Sequence, residues 1–294
     1  SSLALPLELI EGAAVNSWVS TNDIAAREIE RTLDVAHEHA LKVFETIDRS
    51  LSEVNEIVRD RTDDELRFKA GTMSARLKQL TDALPQLKSV WVFDDKGRAL
   101  VNSLNLALPH IDFSDRDYYK SHTAEDVGTF IGANLLPRPP YQGAPFFGVS
   151  RRRTSDDGHF TGVVQASVFP EYFEKFYARI GRAPGSFFAL GRTDGSILAR
   201  YPFLSEAARL DPKGPVGRVL SSNPDGSLVT IVAPGDNIER RIGYRRLANY
   251  PIYVAAGLET AAIRDRWLKT IAYHLIFGIP ATALLFGLLL FALR

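Results

Sequence analysis

The sequence predicts an α+β chain: a long N-terminal helix, two similar modules built on antiparallel hairpins, and a C-terminal apolar helix of membrane length. Three observations predict it. Between Asn22 and Val58 apolar residues recur at helical spacing, with no Gly or Pro. From Ser89 onward short β-rich runs alternate with turn signals, and the pattern recurs once. Thr270 to Leu293 carries no formal charge.

In the first element the apolar residues are Ile29, Leu33, Ala36, Ala40, Val43, Ile47, Leu51, Val54 and Val58. Steps of three and four keep them on one helical face. A helix this long, about 55 Å at 1.5 Å per residue, suits a stalk or a dimer seam better than a globular core. Thr62 followed by Glu65 predicts a capping box, opening a second helix that runs to Ala83. Upstream, Leu3 to Val19 is rich in apolar residues but contains Glu8, Glu11 and Asn16, which make spanning a membrane costly. It reads as an amphipathic helix start or an altered first membrane helix. It lacks the basic start of a signal peptide.

The hairpins pair up. Val90 to Ser103 (VWVFDDKGRALVNS) matches Phe187 to Arg200 (FFALGRTDGSILAR). FFGVSRRR around Gly148 matches RIGYRRL around Gly243, and GVVQASVFPEYF matches IYVAAGLETAAI. Three correspondences in one order, at offsets of roughly 90 to 100 residues, predict two copies of one module. Each copy ends in a strand that feeds a helix. The second of these helices starts near Thr260 and runs into Thr270–Leu293, about 36 Å of helix, enough for a hydrocarbon core of about 30 Å. The chain stops at Arg294, so it reads as a piece of a longer protein.

Composition excludes several functions. The 294 residues hold 35 Lys+Arg against 35 Asp+Glu, which removes the electrostatic footprint of a nucleic-acid binder. The absence of cysteine excludes thiolate catalysis, disulfides and Cys-ligated metals. His37 and His39 lie two apart on a helix and do not share a face, and no HExxH, P-loop or Gly-x-Ser-x-Gly string occurs. The expectation is therefore no catalytic residue, no metal and no cofactor.

The long helix, the tandem modules and the segment DFSDRDYYKSHTAEDVGTFIG (Asp112 to Gly132), followed by FFGVSRRR and GVVQASVFPEYF, resemble the double Cache sensor domains of bacterial membrane histidine kinases. The resemblance covers roughly residues 22 to 294. It implies PAS-like modules, a ligand in the membrane-distal one, and a homodimer through the N-terminal helices. Residues 1–21 then form a membrane-proximal segment, 22–84 the stalk and second helix, 85–182 the distal module, 183–262 the proximal module, and 263–294 the signalling helix and transmembrane segment. The modules would lie outside the bacterial inner membrane, in the periplasm or beyond. A histidine kinase is the expected output; a chemoreceptor or cyclic-dinucleotide enzyme could follow the same helix.

In amino-acid-binding members an Arg followed by aromatics two and three positions later holds the ligand carboxylate. Arg116, Tyr118 and Tyr119 match that spacing, with core packing as the alternative. Guanidinium pairs with carboxylate in bidentate fashion, and tyrosines supply rigid walls. By strand position Ser150, Gln165 and Ser167 are the polar contacts, and Trp91 and Phe147 the walls. The sequence departs from the amino-acid pattern at Ile111, at Phe130-Ile131-Gly132-Ala133 and at Ser167, where a carboxylate would meet the ligand ammonium. A carboxylate or a neutral polar molecule fits better. Asp117 is expected to be structural, closing a capping box with Ser114. The loop from Leu136 to Tyr141 is stiff enough for a lid or an ordinary connection, and Arg151-Arg152-Arg153 reads as a solvated edge or a salt-bridged surface. The competing functions are a ligand-free, membrane-anchored structural or protein-interaction module and, more remotely, an anchored enzyme.

Overall fold

The computed structural model describes residues 4–104, 107–108, 111–204, 209–223, 226, 228–233 and 235–278, and beyond these only 280, 284, 287, 288 and 291. The apolar period of the N-terminal region becomes helix α1, Ala4–Arg59. It begins well before Asn22, because the amphipathic start continues it without a break. All nine residues of the predicted stripe are buried. The predicted second helix is instead two, α2 (Asp63–Phe68) and α3 (Ala70–Asp82), parted at Lys69. Gly71, a poor helix former, stands beside the break, and Arg67 is drawn to buried Asp94, 2.9 Å away. The Thr62–Glu65 capping box is present, with both reciprocal hydrogen bonds.

The first module consists of β1 (Leu87–Phe93), β2 (Ala99–Asn102), the one-turn helix α4 (Asp117–Lys120), β3 (Phe130–Leu135), β4 (Phe146–Thr154), β5 (Phe160–Val168) and α5 (Pro170–Ile180). The second has β6 (Ser186–Arg192), β7 (Ile197–Tyr201), α6 (Pro215–Ser222), β8 (Leu228–Val232), β9 (Glu239–Arg246), β10 (Ile252–Glu259) and α7 (Thr260–Tyr273). The sheet orders are β2-β1-β5-β4-β3 and β7-β6-β10-β9-β8, antiparallel throughout. The three matched sequence pairs occupy equivalent strands, so the repeat is one of topology.

It extends to hydrogen bonds. Asp94 N–H donates to Arg98 O and Phe113 N–H to Gly97 O; Arg192 N–H donates to Ser196 O and Leu210 N–H to Gly195 O. Gly97 and Gly195 both have positive φ, and a Cβ on either would strike the backbone of the following loop.

Strand alternation divides each sheet into two faces. Val90, Val92, Val164, Ala166 and Val168 join the α1 stripe from Leu33 to Val58 and Leu77 of α3 in the main core. Phe44 sits where the modules meet on α1, its ring 6.2 Å from Phe147, 6.0 Å from Phe173 and 5.6 Å from Tyr250. At the far end α1 packs along α7. Trp18 meets Trp267 edge-on at 5.2 Å, Trp267 Nε1 donates to Ala14 O, and Arg266 pairs with Glu28 at 2.6 Å.

Among the described residues, no helix is long and apolar enough to cross a membrane. The transmembrane expectation for Thr270–Leu293 is thus not supported there. After Tyr273 the chain makes a π-helical turn, His274–Gly278, and most of the predicted span beyond it lies outside the described residues.

Candidate ligand-binding site

On the other face of the first sheet Ser89, Trp91 and Phe93 of β1 align with Gln165 and Ser167 of β5. They floor a cavity of about 300 Å³. Five of the eight expected site residues line it: Trp91, Arg116, Tyr118, Gln165 and Ser167. Trp91 Nε1 donates to Ser89 Oγ at 3.0 Å, and Gln165 Nε2 to Ser167 Oγ at 3.1 Å. The loop after β3 covers the cavity with Pro137, Arg138, Pro140 and Tyr141. Phe113, Phe146 and Lys88 also line it, and sequence reasoning did not name them.

The other three expected residues point elsewhere. Tyr119 turns away from Tyr118, and its hydroxyl donates to Asp94 O at 3.0 Å; burial raises its pKa to about 12. Phe147 has the opposite strand parity to Gly148 and faces α1, inside the main core. Ser150 is on the cavity side but is consumed as a brace. Its hydroxyl donates to Tyr118 O at 2.8 Å and accepts from His122 Nε2 at 3.0 Å.

These braces fix α4, which presents Arg116 and Tyr118. Asp117 does not form the expected box with Ser114. Its carboxylate accepts the N–H groups of Tyr118 (2.7 Å) and Ala133 (3.0 Å). The Tyr118 ring lies over Gly148, where a Cβ would stand 2.9 Å from Cδ1. Gly148→Ala must therefore push the ring off its seat, and the expected cost is about 1–3 kcal/mol, read from the denaturant midpoint.

His122 is fully buried, and burial lowers its pKa to about 4 from 6.5. Its Nδ1 has no partner among the described residues, so the imidazole is held neutral. A group whose folded pKa is depressed by desolvating its cation contributes full stability above pH 6.5. That contribution declines as pH falls toward 4. The expected loss is on the order of 2–3 kcal/mol, and His122→Gln should flatten this part of the stability–pH profile.

The charge pattern of the cavity is one-sided. Among the described residues its lining contains Lys88, Arg116 and Arg138 and no Asp or Glu. Arg138 is neutralised by Asp115 at 2.5 Å. Arg116 has no carboxylate partner among the described residues: Nη2 donates to Leu136 O at 3.3 Å, and buried Nε has no acceptor. Among the described residues Lys88 donates only to Ala144 O, and burial lowers its pKa. The walls are aromatic, with Trp91 and Phe93 stacked at 6.1 Å and Tyr141 set edge-on to Trp91 at 5.4 Å.

The equivalent face of the second sheet is different. Phe187, Ala189, Gly191 and Ala255 line an apolar cavity of about 60 Å³, too small for an ordinary ligand. Arg200 and Arg240 flank the Phe187 ring, and Asp236 lies between them. Burial alone would raise the Asp236 pKa, but the two guanidiniums and the Ile238 N–H hold it down at about 2.

Residues 170–257 match the family model described as histidine kinase sensor domain, dCache_1-like. The fold is that of a double Cache sensor domain. The extracellular domain of a protein designated histidine kinase rpHK1S-Z16 is similar, with a TM-score of 0.72 and 27% identity over 82% of this chain and 97% of that one. The ligand-binding domain of Campylobacter jejuni chemoreceptor Tlp3, solved with L-valine, has a TM-score of 0.59 and 15% identity over 84% and 98% of the two chains. That of Pseudomonas fluorescens chemoreceptor CtaA, solved with L-alanine, gives 0.56 and 13% over 79% and 95%. No curated protein matches the sequence significantly. These double Cache relatives are extracellular sensor and ligand-binding domains, not catalytic ones. In this chain the larger of the two sheet-face cavities described lies above β1 and β5 in the first module.

Proposed function

We propose that this chain is the extracytoplasmic sensor region of a membrane-anchored bacterial receptor, with a histidine kinase as its output. In this reading its distal cavity takes a small organic carboxylate with an apolar, ring-sized body. One observation carries the ligand class: among the described residues the lining has three cations, one of them an arginine without an acid partner, and no carboxylate. A ligand carboxylate would meet Arg116, and its body the faces of Trp91, Phe93 and Tyr141. An α-amino acid would bring an ammonium onto a floor whose polar side chains, Ser89, Gln165 and Ser167, carry no negative charge, and an unpaired buried ammonium is costly. The ligand would thus differ from those of the chemoreceptors that share the fold.

Anchoring through the apolar run Thr270–Leu293 fits the exposed apolar residues Leu275, Ile276, Phe277, Leu284, Leu288 and Phe291. The Trp18–Trp267 pair would lie at the membrane interface, where indoles concentrate. Val15, Val19, Ile24 and Val35 are exposed on α1 and support a second copy packing along it. Ligand would bias two states of the receptor by the difference in its affinity for each. Loop 136–141 would close over the carboxylate, and the strain would reach α7 through the second module.

A thermal-shift panel tests the ligand class: acetate, butyrate, benzoate, phenylacetate, alanine, valine and phenylalanine on the chain held in detergent. Stabilisation by the ring carboxylates is expected. Stabilisation by amino acids alone would sink it.

A further inference from the structure

We infer that Arg192, a residue of the second module, is a positioning residue for the ligand site of the first. The inference rests on placing the ligand in the distal cavity. Neither Arg192 nor Asp117 lines that cavity. Asp117 opens α4 between Arg116 and Tyr118, and its carboxylate is where three elements meet. Oδ1 accepts from Tyr118 of α4, Oδ2 from Ala133 of β3, and Arg192 Nη1 of β6 lies 3.9 Å from Oδ2. The Ala133 N–H is available because β3 bulges between Ile131 and Asn134, which frees it from the ladder. Gly132 permits the approach: a Cβ there would stand 2.8 Å from Oδ2.

Arg192 is a fixed charge. Its side chain is 15% exposed, its guanidinium lies 5.6 Å from the Phe130 ring, and Asp194 holds Nη2 at 3.3 Å. A second contact reinforces the first. Asn134 Nδ2 donates to Ile197 O (3.2 Å) and Leu198 O (2.8 Å), closing the edge of β7. Strand β3, which helps to hold α4, is therefore tied to the second module near both ends.

The repeat shows how this position differs from its counterpart. Arg192 starts the β6–β7 turn as Asp94 starts the β1–β2 turn, with the same backbone hydrogen bond. Asp94 is satisfied by Arg98 of its own turn and by Arg67 of α2, packed beside it. Arg192 has the opposite charge and reaches the other module. Strand β6 pairs along β10, and β10 continues into α7. A shift of α4 on ligand binding thus acts on the strand pair that leads to α7. By linkage, the state of the second module sets the affinity of the first.

Hydrogen exchange of the ligand-free chain, followed by mass spectrometry, tests this in wild type, Arg192→Gln and Arg192→Lys. In Arg192→Gln the amides of residues 118–121 and 130–135 are expected to exchange about tenfold faster, with β10 unchanged. Arg192→Lys, which keeps the charge, should restore most of the protection. Unchanged exchange at α4, or acceleration spread over the whole chain, overturns the inference. With phenylacetate as probe, Kd should rise about tenfold in Arg192→Gln, and a Kd equal to wild type also overturns it. If phenylacetate does not bind wild type, the proposed ligand class fails, and the exchange result decides the coupling on its own.

Discussion

Arg116→Ala is expected to weaken binding of a ring carboxylate such as phenylacetate by about 100-fold. A charge-assisted pair with a carboxylate in a mostly desolvated site is worth about 2–5 kcal/mol when one partner is removed, and 100-fold corresponds to about 2.7 kcal/mol. The fold should not suffer. Among the described residues the Arg116 side chain makes one hydrogen bond, to Leu136 O at 3.3 Å, and leaves Nε without an acceptor, so its removal relieves a buried donor rather than breaking a pair. Binding and stability should therefore separate: titration calorimetry shows the lost affinity, while the thermal midpoint stays within about 2 °C, a change of under ~1 kcal/mol. A residue that merely packed the core would lose both together. Arg138→Ala should behave differently, because it also orphans Asp115 and frees the Asp112 carbonyl.

Phe44→Ala is expected to have the largest effect on stability. The side chain is fully buried, and its ring touches Phe147 and Phe173 of the first module and Tyr250 of the second. Truncation removes the transfer free energy and leaves a cavity that three rings cannot easily fill, a cost of about 3–5 kcal/mol. For a chain this size that is a fall of roughly 10 °C in Tm. Phe68, 90% exposed on α2, is the control, and Phe68→Ala should change stability by less than about 0.5 kcal/mol. A small effect at Phe44 would mean that α1 is not the common core of the modules.

Much of this architecture was legible because it rests on periodicity. The stripe on α1 repeats often enough to fix its face, and every residue in it is buried. The duplication was legible because three strand pairs recur in order, and their sheets have the same strand order. The break at Lys69 was not legible, since the apolar period of Leu66, Met73 and Leu77 runs straight through it. Adjacent aromatics were the hardest to assign. In a four-residue helix the 3.6 period has no length to act over, so nothing told Tyr118 from Tyr119. Strand parity did hold an unused signal. Phe147 and Ser150 differ in parity and could not both face the ligand, whereas Phe146 shares the parity of Ser150 and lines the cavity. Lys88 enters the lining where the register of β1 shifts between Leu87 and Ser89, a backbone irregularity with no sequence mark. The contacts of Asp117 are likewise long-range, joining α4 to a bulge on β3 and to the other module.

The central claim is that the distal cavity selects a carboxylate without an ammonium. Calorimetric titration of the wild-type chain with phenylacetate and with phenylalanine, which share the ring and the carboxylate, tests it most directly. Tighter binding of phenylacetate by at least about tenfold, some 1.4 kcal/mol, is the predicted result. Equal or tighter binding of phenylalanine would contradict it.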